Sequence, residues 1–119
     1  MQMDNSTGKT GEDYVAGALK KQGYMIKARN FKTRFGEIDI IAADRKYIVF
    51  VEVKTRKSGS LTNPLESVTL SKQRKVISAA EYYLMKNPES LQPRFDVAAV
   101  TTQNYKVVSL EYIKNAFGT

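Results

Sequence analysis

The 119-residue sequence contains no cysteine and no histidine. The first absence excludes disulfides and thiolate metal sites. The second removes the Ser-His-Asp triad, the Cys-His pair, paired-imidazole acid–base chemistry and histidine-ligated zinc. An enzyme made from this chain works with carboxylates, lysines, hydroxyls and a hard metal ion. Long hydrophobic runs are missing too. The longest, residues 38–43 and 47–53, fall far short of the roughly 18 residues that a membrane-spanning helix needs. Residues 1–10 are polar and contain no apolar signal core, so a cytoplasmic location with no membrane partner is expected.

Hydrophobic residues make up 42% and charged residues 26%, ordinary values for a globular protein, which sets disorder aside. The length fits one domain with its own core, residues 1–119, with 1–6 and 117–119 expected to be loose. A formal charge of +7 favours an anionic partner such as nucleic acid, although a merely soluble basic protein would have the same total. Position is more informative. Lys27, Arg29, Lys32 and Arg34 share one stretch without an acid; Lys54, Arg56 and Lys57 form a second group, and Lys72, Arg74 and Lys75 a third. Tyr24, Phe31 and Phe35 are interspersed, as on nucleic-acid surfaces, or belong to the core.

Periodicity predicts a helix over 10–22, entered through a capping box at Thr10, Gly11, Glu12 and Asp13 and stopped by Gly23. Val15, Ala16 and Leu19 form its apolar stripe, and Glu12 shares that face. Strands are expected at 24–31, 37–43 and 47–55, with a basic turn at 32–35. The short turn at 44–46 requires an antiparallel hairpin. The third strand is apolar almost throughout, as in a strand covered on both faces, and should be central. Residues 56–66 read as a mobile loop. A second helix, 69–86, presents Val76, Ile77, Ala80, Tyr83 and Leu84, with Gln73 near its start. A fourth strand at 95–101, a turn at Gln103 and Asn104, a fifth strand at 106–110 and a terminal helix at 111–116 complete the chain. The order α-β-β-β-α-β with a β-α extension is that of an α/β sandwich around one mixed sheet flanked by helices.

Chemistry concentrates in two segments: Gly36, Glu37, Ile38, Asp39 and, across the hairpin, Val51, Glu52, Val53, Lys54. Residues two apart on a strand share a face, so Glu52 and Lys54 are neighbours, and the hairpin can set Asp39 beside Glu52. Two carboxylates about 4 Å apart repel by roughly 4 kcal/mol at an effective dielectric near 20. A divalent cation turns that cost into binding energy. Mg²⁺ (or Mn²⁺) suits two hard oxygen ligands, with water and a substrate phosphate filling its other positions. Lys54 would then act on the attacking water or on the transition-state charge. Glu12 is a further candidate acid, and the Gln73 amide a candidate holder of water or phosphate. Each also has a structural reading. Glu52, Lys54 and Asp39 can be an ion-pair set at a sheet end, Glu12 can complement a helix N-terminus, and Gln73 can simply pack. Asp96 is expected to partner Arg94 or Lys54 and carries no catalytic role. Lys72, Arg74 and Lys75 lie at the positive end of the second helix, the reverse of normal charge placement, which favours a docked phosphate.

The segments Gly11-Glu12, Gly23-Tyr24, Arg29-Asn30-Phe31, 36–42, 50–56, 64–66, Lys72-Gln73 and 94–97 together resemble the bacterial YraN-like family, over about residues 8–101. That family is related to archaeal Holliday junction resolvases in the PD-(D/E)XK nuclease superfamily. The resemblance implies a restriction-endonuclease-like core, Asp39 and Glu52 as magnesium ligands, Lys54 as catalytic lysine, Glu12 as an additional acid and Gln73 at an often polar position. The motif's proline is replaced by Ile38. The function implied is a Mg-dependent endonuclease acting on DNA, including branched or repair-related structures. The alternative is a nucleic-acid-binding module of the same fold without cleavage. Lys32, Arg34, Arg56, Lys57, Lys72, Arg74 and Lys75 are the expected nucleic-acid contacts. A homodimer is expected, because a chain this short needs a partner to cut two strands symmetrically.

Overall fold

The computed structural model describes residues 6–60 and 63–118. Its elements run α1 (Ser6–Lys21), β1 (Met25–Thr33), β2 (Gly36–Ala43), β3 (Tyr47–Lys57), a 3-10 turn (Pro64–Ser67), α2 (Leu70–Lys86), β4 (Gln92–Gln103) and β5 (Lys106–Phe117). The strands form one sheet in the order β1-β2-β3-β4-β5, antiparallel except for the parallel pair β3–β4. This is the expected α/β architecture, consistent with a restriction-endonuclease-like core.

Alternation along β3 explains its central place. Val49 and Val51 face one way and pack with Val15, Ala16 and Leu19 of α1; Ile48 and Phe50 face the other way and pack with Val76, Ala79 and Ala80 of α2. All four β3 residues are fully buried. The sheet is thus sandwiched between the two helices. No helix among the described residues is long and apolar enough to cross a membrane.

Helix α1 starts a turn earlier than expected, so Thr10 lies inside it and no capping box forms there. Asp13 is engaged elsewhere, 2.7 Å from Arg29 Nη2 and 3.9 Å from Lys9 Nζ. Residues 1–5 of the expected loose tail lie outside the described residues, and Ser6 is already helical. The helix ends as expected at Gly23: the Tyr24 N–H donates to Leu19 O (3.0 Å) and the Gly23 N–H to Lys20 O (3.0 Å), which satisfies its last carbonyls. Thr69 caps α2, its hydroxyl accepting from the Lys72 N–H at 3.2 Å. The expected loop at 56–66 is shorter, because β3 runs on to Lys57 alongside Thr102 and a 3-10 turn follows at Pro64–Ser67.

The terminal helix expected at 111–116 is absent. β5 continues to Phe117 instead. Tyr112, Ile113, Ala116 and Phe117 fit a helical spacing, but tertiary pairing overrides it. Val97 lies opposite Ile113 and Phe95 opposite Phe117, with a bulge between. Asn115, at φ 53°, sits in that bulge. Phe117, in the stretch expected to be loose, stacks on Phe95 with centroids 5.3 Å apart, and Thr119 lies outside the described residues. The turn before β5 is at Asn104 and Tyr105, one residue later than expected, both at positive φ as a tight two-residue hairpin requires.

Asp96 fastens this end of the molecule. It is fully buried and accepts from Arg94 (Nη2 at 2.8 Å), the Tyr112 hydroxyl (2.6 Å) and the Asn115 N–H (2.9 Å). Arg94 also donates to the Tyr24 hydroxyl at 2.9 Å and lies 4.6 Å from the centroid of the Tyr47 ring. Of the two expected partners of Asp96, the structure selects Arg94. Burial, reinforced by the adjacent Asp96 charge, pushes the Tyr112 phenol well above its ordinary range. The network is saturated and structural.

Candidate active site

The β2–β3 ladder runs from Ala43 opposite Ile48 to Ile40 opposite Val51; one further step would set Asp39 against Glu52. The backbone ladder stops there. The Asp39 side chain takes over, Oδ2 accepting from the Val53 N–H at 2.8 Å. β2 also changes phase at this residue: Ile38 packs on the α2 side and Ile40 on the α1 side, although residues two apart normally share a face. Across the sheet, Asn30 falls between the pairs Arg29–Ile40 and Phe31–Ile38 and has φ 50°. A left-handed residue inside a strand twists it locally, and Asn accepts that conformation more readily than most. The irregularity lies directly opposite Asp39.

Glu52 is buried, with 4% of its side chain exposed. Its Oε2 lies 3.5 Å from Lys54 Nζ and 3.4 Å from Lys72 Nζ. Burial, then the charge of Glu52, pushes Asp39 up to about 7, with Glu12 adding to the rise; the Val53 hydrogen bond and Lys72 act against it. Asp39 thus lies in the field of Glu52, the carboxylate that Lys54 contacts.

Glu12 approaches from α1. The first turn of that helix holds no acid, so Glu12 lies too far along to serve as a dipole complement. Its Oε1 is 3.8 Å from Arg29 Nη2. Gly11 makes the approach possible. A side-chain carbon there would come 2.1 Å from Thr55 Oγ1, so only glycine lets α1 lie this close to the end of β3. Gln73 is tethered, its Nε2 donating to Val68 O at 3.1 Å.

Among the described residues, no group of three or more Asp, Glu, His or Cys side chains gathers as a closed metal cage. The site offers the carboxylates of Asp39 and Glu52, with Glu12 acting on Asp39 through its charge. That donor set fits a magnesium-type ion, which keeps several waters and takes one or two protein carboxylates, better than it fits calcium.

The expected nucleic-acid residues separate into three places. Lys32, Arg34, Lys72 and Lys75 line one groove of 410 Å³ between the β1–β2 turn and α2. Arg56 and Lys57 lie at the end of β3, and Arg74 is exposed on α2 outside the groove lining. Arg56 Nη1 is buried without a hydrogen-bond partner among the described residues, a donor suited to an anion. Lys72 has an intramolecular reason for its place at the start of α2, namely Glu52. Sequence reasoning missed that pair and the role of Arg29 in holding Glu12. Arg29 stood in the basic stretch, but nothing in its spacing pointed to a partner on α1.

The chain matches the model of a family described as uncharacterised protein family UPF0102 over residues 11–100. It is similar to a UPF0102 protein of Lachnoclostridium phytofermentans, 45% identical over 112 residues, covering 92% of this chain and 91% of that protein. A UPF0102 protein of Clostridium perfringens is 47% identical over 119 residues, covering 96% and 95%. One from Persephonella marina is 44% identical over 111 residues, covering 92% and 91%.

Proposed function

This chain belongs to the family UPF0102, and we propose that it is a magnesium-dependent endonuclease that hydrolyses phosphodiesters in DNA, branched or repair-related structures included. One observation carries the reading: burial, and then the charge of Glu52, lifts Asp39 to about 7, and Lys54 lies 3.5 Å from that same Glu52. An acid pair held at such cost is relieved by a divalent cation. Asp39 and Glu52 would hold Mg²⁺ or Mn²⁺. When bound, the metal neutralises phosphate charge and acidifies water.

The chain's own groups supply the rest. Lys54 places an ammonium where negative charge builds on the phosphate oxygens. Glu12 adds an acid from α1, positioned by Gly11 and Arg29. Gln73, tethered through its nitrogen, presents its amide oxygen at the start of α2 to a water or to the substrate. Arg56 Nη1 and the groove lysines bind flanking phosphates. A homodimer would bring two such sites to the two strands of one substrate.

Of linear, single-stranded and four-way-junction DNA, at least one should be cut in Mg²⁺ or Mn²⁺, and all should be left intact in EDTA. Lys54→Ala and Asp39→Asn should abolish cutting while binding persists. Variants that cut like the parent would overturn the reading. The ion pairs from Lys54 and Lys72 to Glu52 favour one second reading, a binding module whose acids are structural. Tight DNA binding without cleavage in either metal would select it.

A further inference from the structure

The groove between the β1–β2 turn and α2 does not end at its lysines. Beyond the 410 Å³ section lined by Lys32, Arg34, Lys72 and Lys75, a second cavity of 720 Å³ continues past Phe35, Tyr82 and Met85. The two sections share Lys32, Thr33, Arg34 and Phe35, so they adjoin, following one another along α2 from Lys72 to Met85. The groove's inner end is at Lys72, 3.4 Å from Glu52. Its outer end is apolar and open: Phe35 is 42% exposed and Met85 67%. Phe35 and Tyr82 lie 6.2 Å apart at 52°, with Arg34 above the first ring (5.1 Å) and Lys86 above the second (5.7 Å). Glu37 and Glu81 are the acids on its walls, against four cations.

We propose that this path carries an unpaired strand of nucleic acid, its phosphates on Lys32, Lys72 and Lys75 and its bases on the rings of Phe35 and Tyr82. Cations alone would serve a duplex equally well. Surface aromatic rings, Phe35 exposed and Tyr82 half-buried, would not, since base faces in a duplex are already stacked on one another, whereas in a single strand they are free to stack on side chains. Lysines beside these two rings, which bases would reach by displacing Arg34 and Lys86, are the chemistry of a single-strand tract, and the tract's net positive charge sets the sign of the occupant. The turn that presents Phe35 is seated firmly: a side-chain carbon on Gly36 would come 2.8 Å from Lys75 O, so turn and helix are in direct backbone contact. The inference deepens the nuclease reading and rests on it for direction, because the strand it places leads to the Asp39–Glu52 carboxylates. The substrate class is then DNA with a single-stranded arm next to the scissile phosphate.

The test is fluorescence anisotropy of the full chain in EDTA, where cleavage cannot contribute, with labelled oligothymidylate and a blunt duplex of equal length. Phe35→Ala and Tyr82→Ala should each weaken single-strand binding roughly tenfold and change duplex binding less than twofold. Phe35→Trp and Tyr82→Phe, which keep a ring, should retain it. Lys75→Ala should weaken both ligands. Equal losses on both ligands, or none on the single strand, overturn the proposal. So does a shift from dimer to monomer on Phe35→Ala in light scattering, which would make the patch an interface between copies. Binding that follows the expected pattern in a protein that never cuts would leave the strand tract standing and remove the hydrolase reading alone.

Discussion

Replacing Asp39 by asparagine should make the metal-free protein more stable at neutral pH. Asp39 ionises near 3.8 in an unfolded chain and near 7 in the folded one, chiefly through burial and then through Glu52. Between those values the folded state holds a proton that the unfolded state has released, so stability falls as pH rises through this window and is flat above it. The carboxyl's favourable contribution is complete below about 4 and gone above about 7. Three pH units at about 1.4 kcal/mol each give at most roughly 4 kcal/mol. The amide introduced by Asp39→Asn keeps an oxygen for the Val53 N–H, which Asp39 now satisfies at 2.8 Å, and brings no charge toward Glu52. Urea unfolding followed by circular dichroism in EDTA, from pH 4 to 8.5, would read the difference between parent and variant, in which titrating groups not coupled to Asp39 cancel. The variant should match the parent near pH 4 and exceed it by about 2–4 kcal/mol at pH 8. Saturating Mg²⁺ at pH 8 should stabilise the parent and narrow that gap. Parallel pH curves would show that Asp39 is not under strain and would remove the physical basis for a metal there.

Further predictions follow from packing. Gly11→Ala should cost about 1–3 kcal/mol by forcing α1 off β3, and Thr55→Ala in the same chain should restore most of it, read by thermal melting of the single and double variants. Asp96→Ala should cost about 3–5 kcal/mol because Arg94 is left charged and buried, measured as a lowered urea midpoint. Lys75→Ala should reduce the slope of log affinity for DNA against log salt by about one. An unchanged slope would remove Lys75 from the phosphate contacts.

The readable part of the site was the part written in local spacing. Glu52 and Lys54 are two apart on a strand, and the brief turn held by Asp44, whose Oδ1 accepts from the Lys46 and Tyr47 N–H groups, fixes the hairpin that delivers Asp39. The buried character of β3 showed in its apolar run, and the stripe of α1 in its helical period. What was illegible depended on distant partners. Lys72 meets Glu52 only once α2 has crossed the sheet, and Arg29 meets Glu12 only once α1 lies on β3. The C-terminal segment shows the same limit: its apolar residues fit a helix, and only pairing with β4 and the hold of Asp96 on Asn115 draws them into a strand. The phase change at Asn30 and Asp39 left no periodic trace, because a single left-handed residue does not alter composition.

The parallel seam between β3 and β4 has a kinetic consequence. Each of its pairs, from Tyr47 with Gln92 to Lys57 with Thr102, closes a loop that contains the whole of α2. The neighbouring hairpins close loops of a few residues and should form quickly, whereas the seam carries the entropic cost of a long closure and should govern the folding rate. Glu12, Asp39, Glu52 and Lys54 all precede α2 and the β4 half of that seam in the chain. During synthesis, the amino-terminal segment would therefore emerge with its acids already approaching one another, while the lysine that tempers them from α2 is still to come.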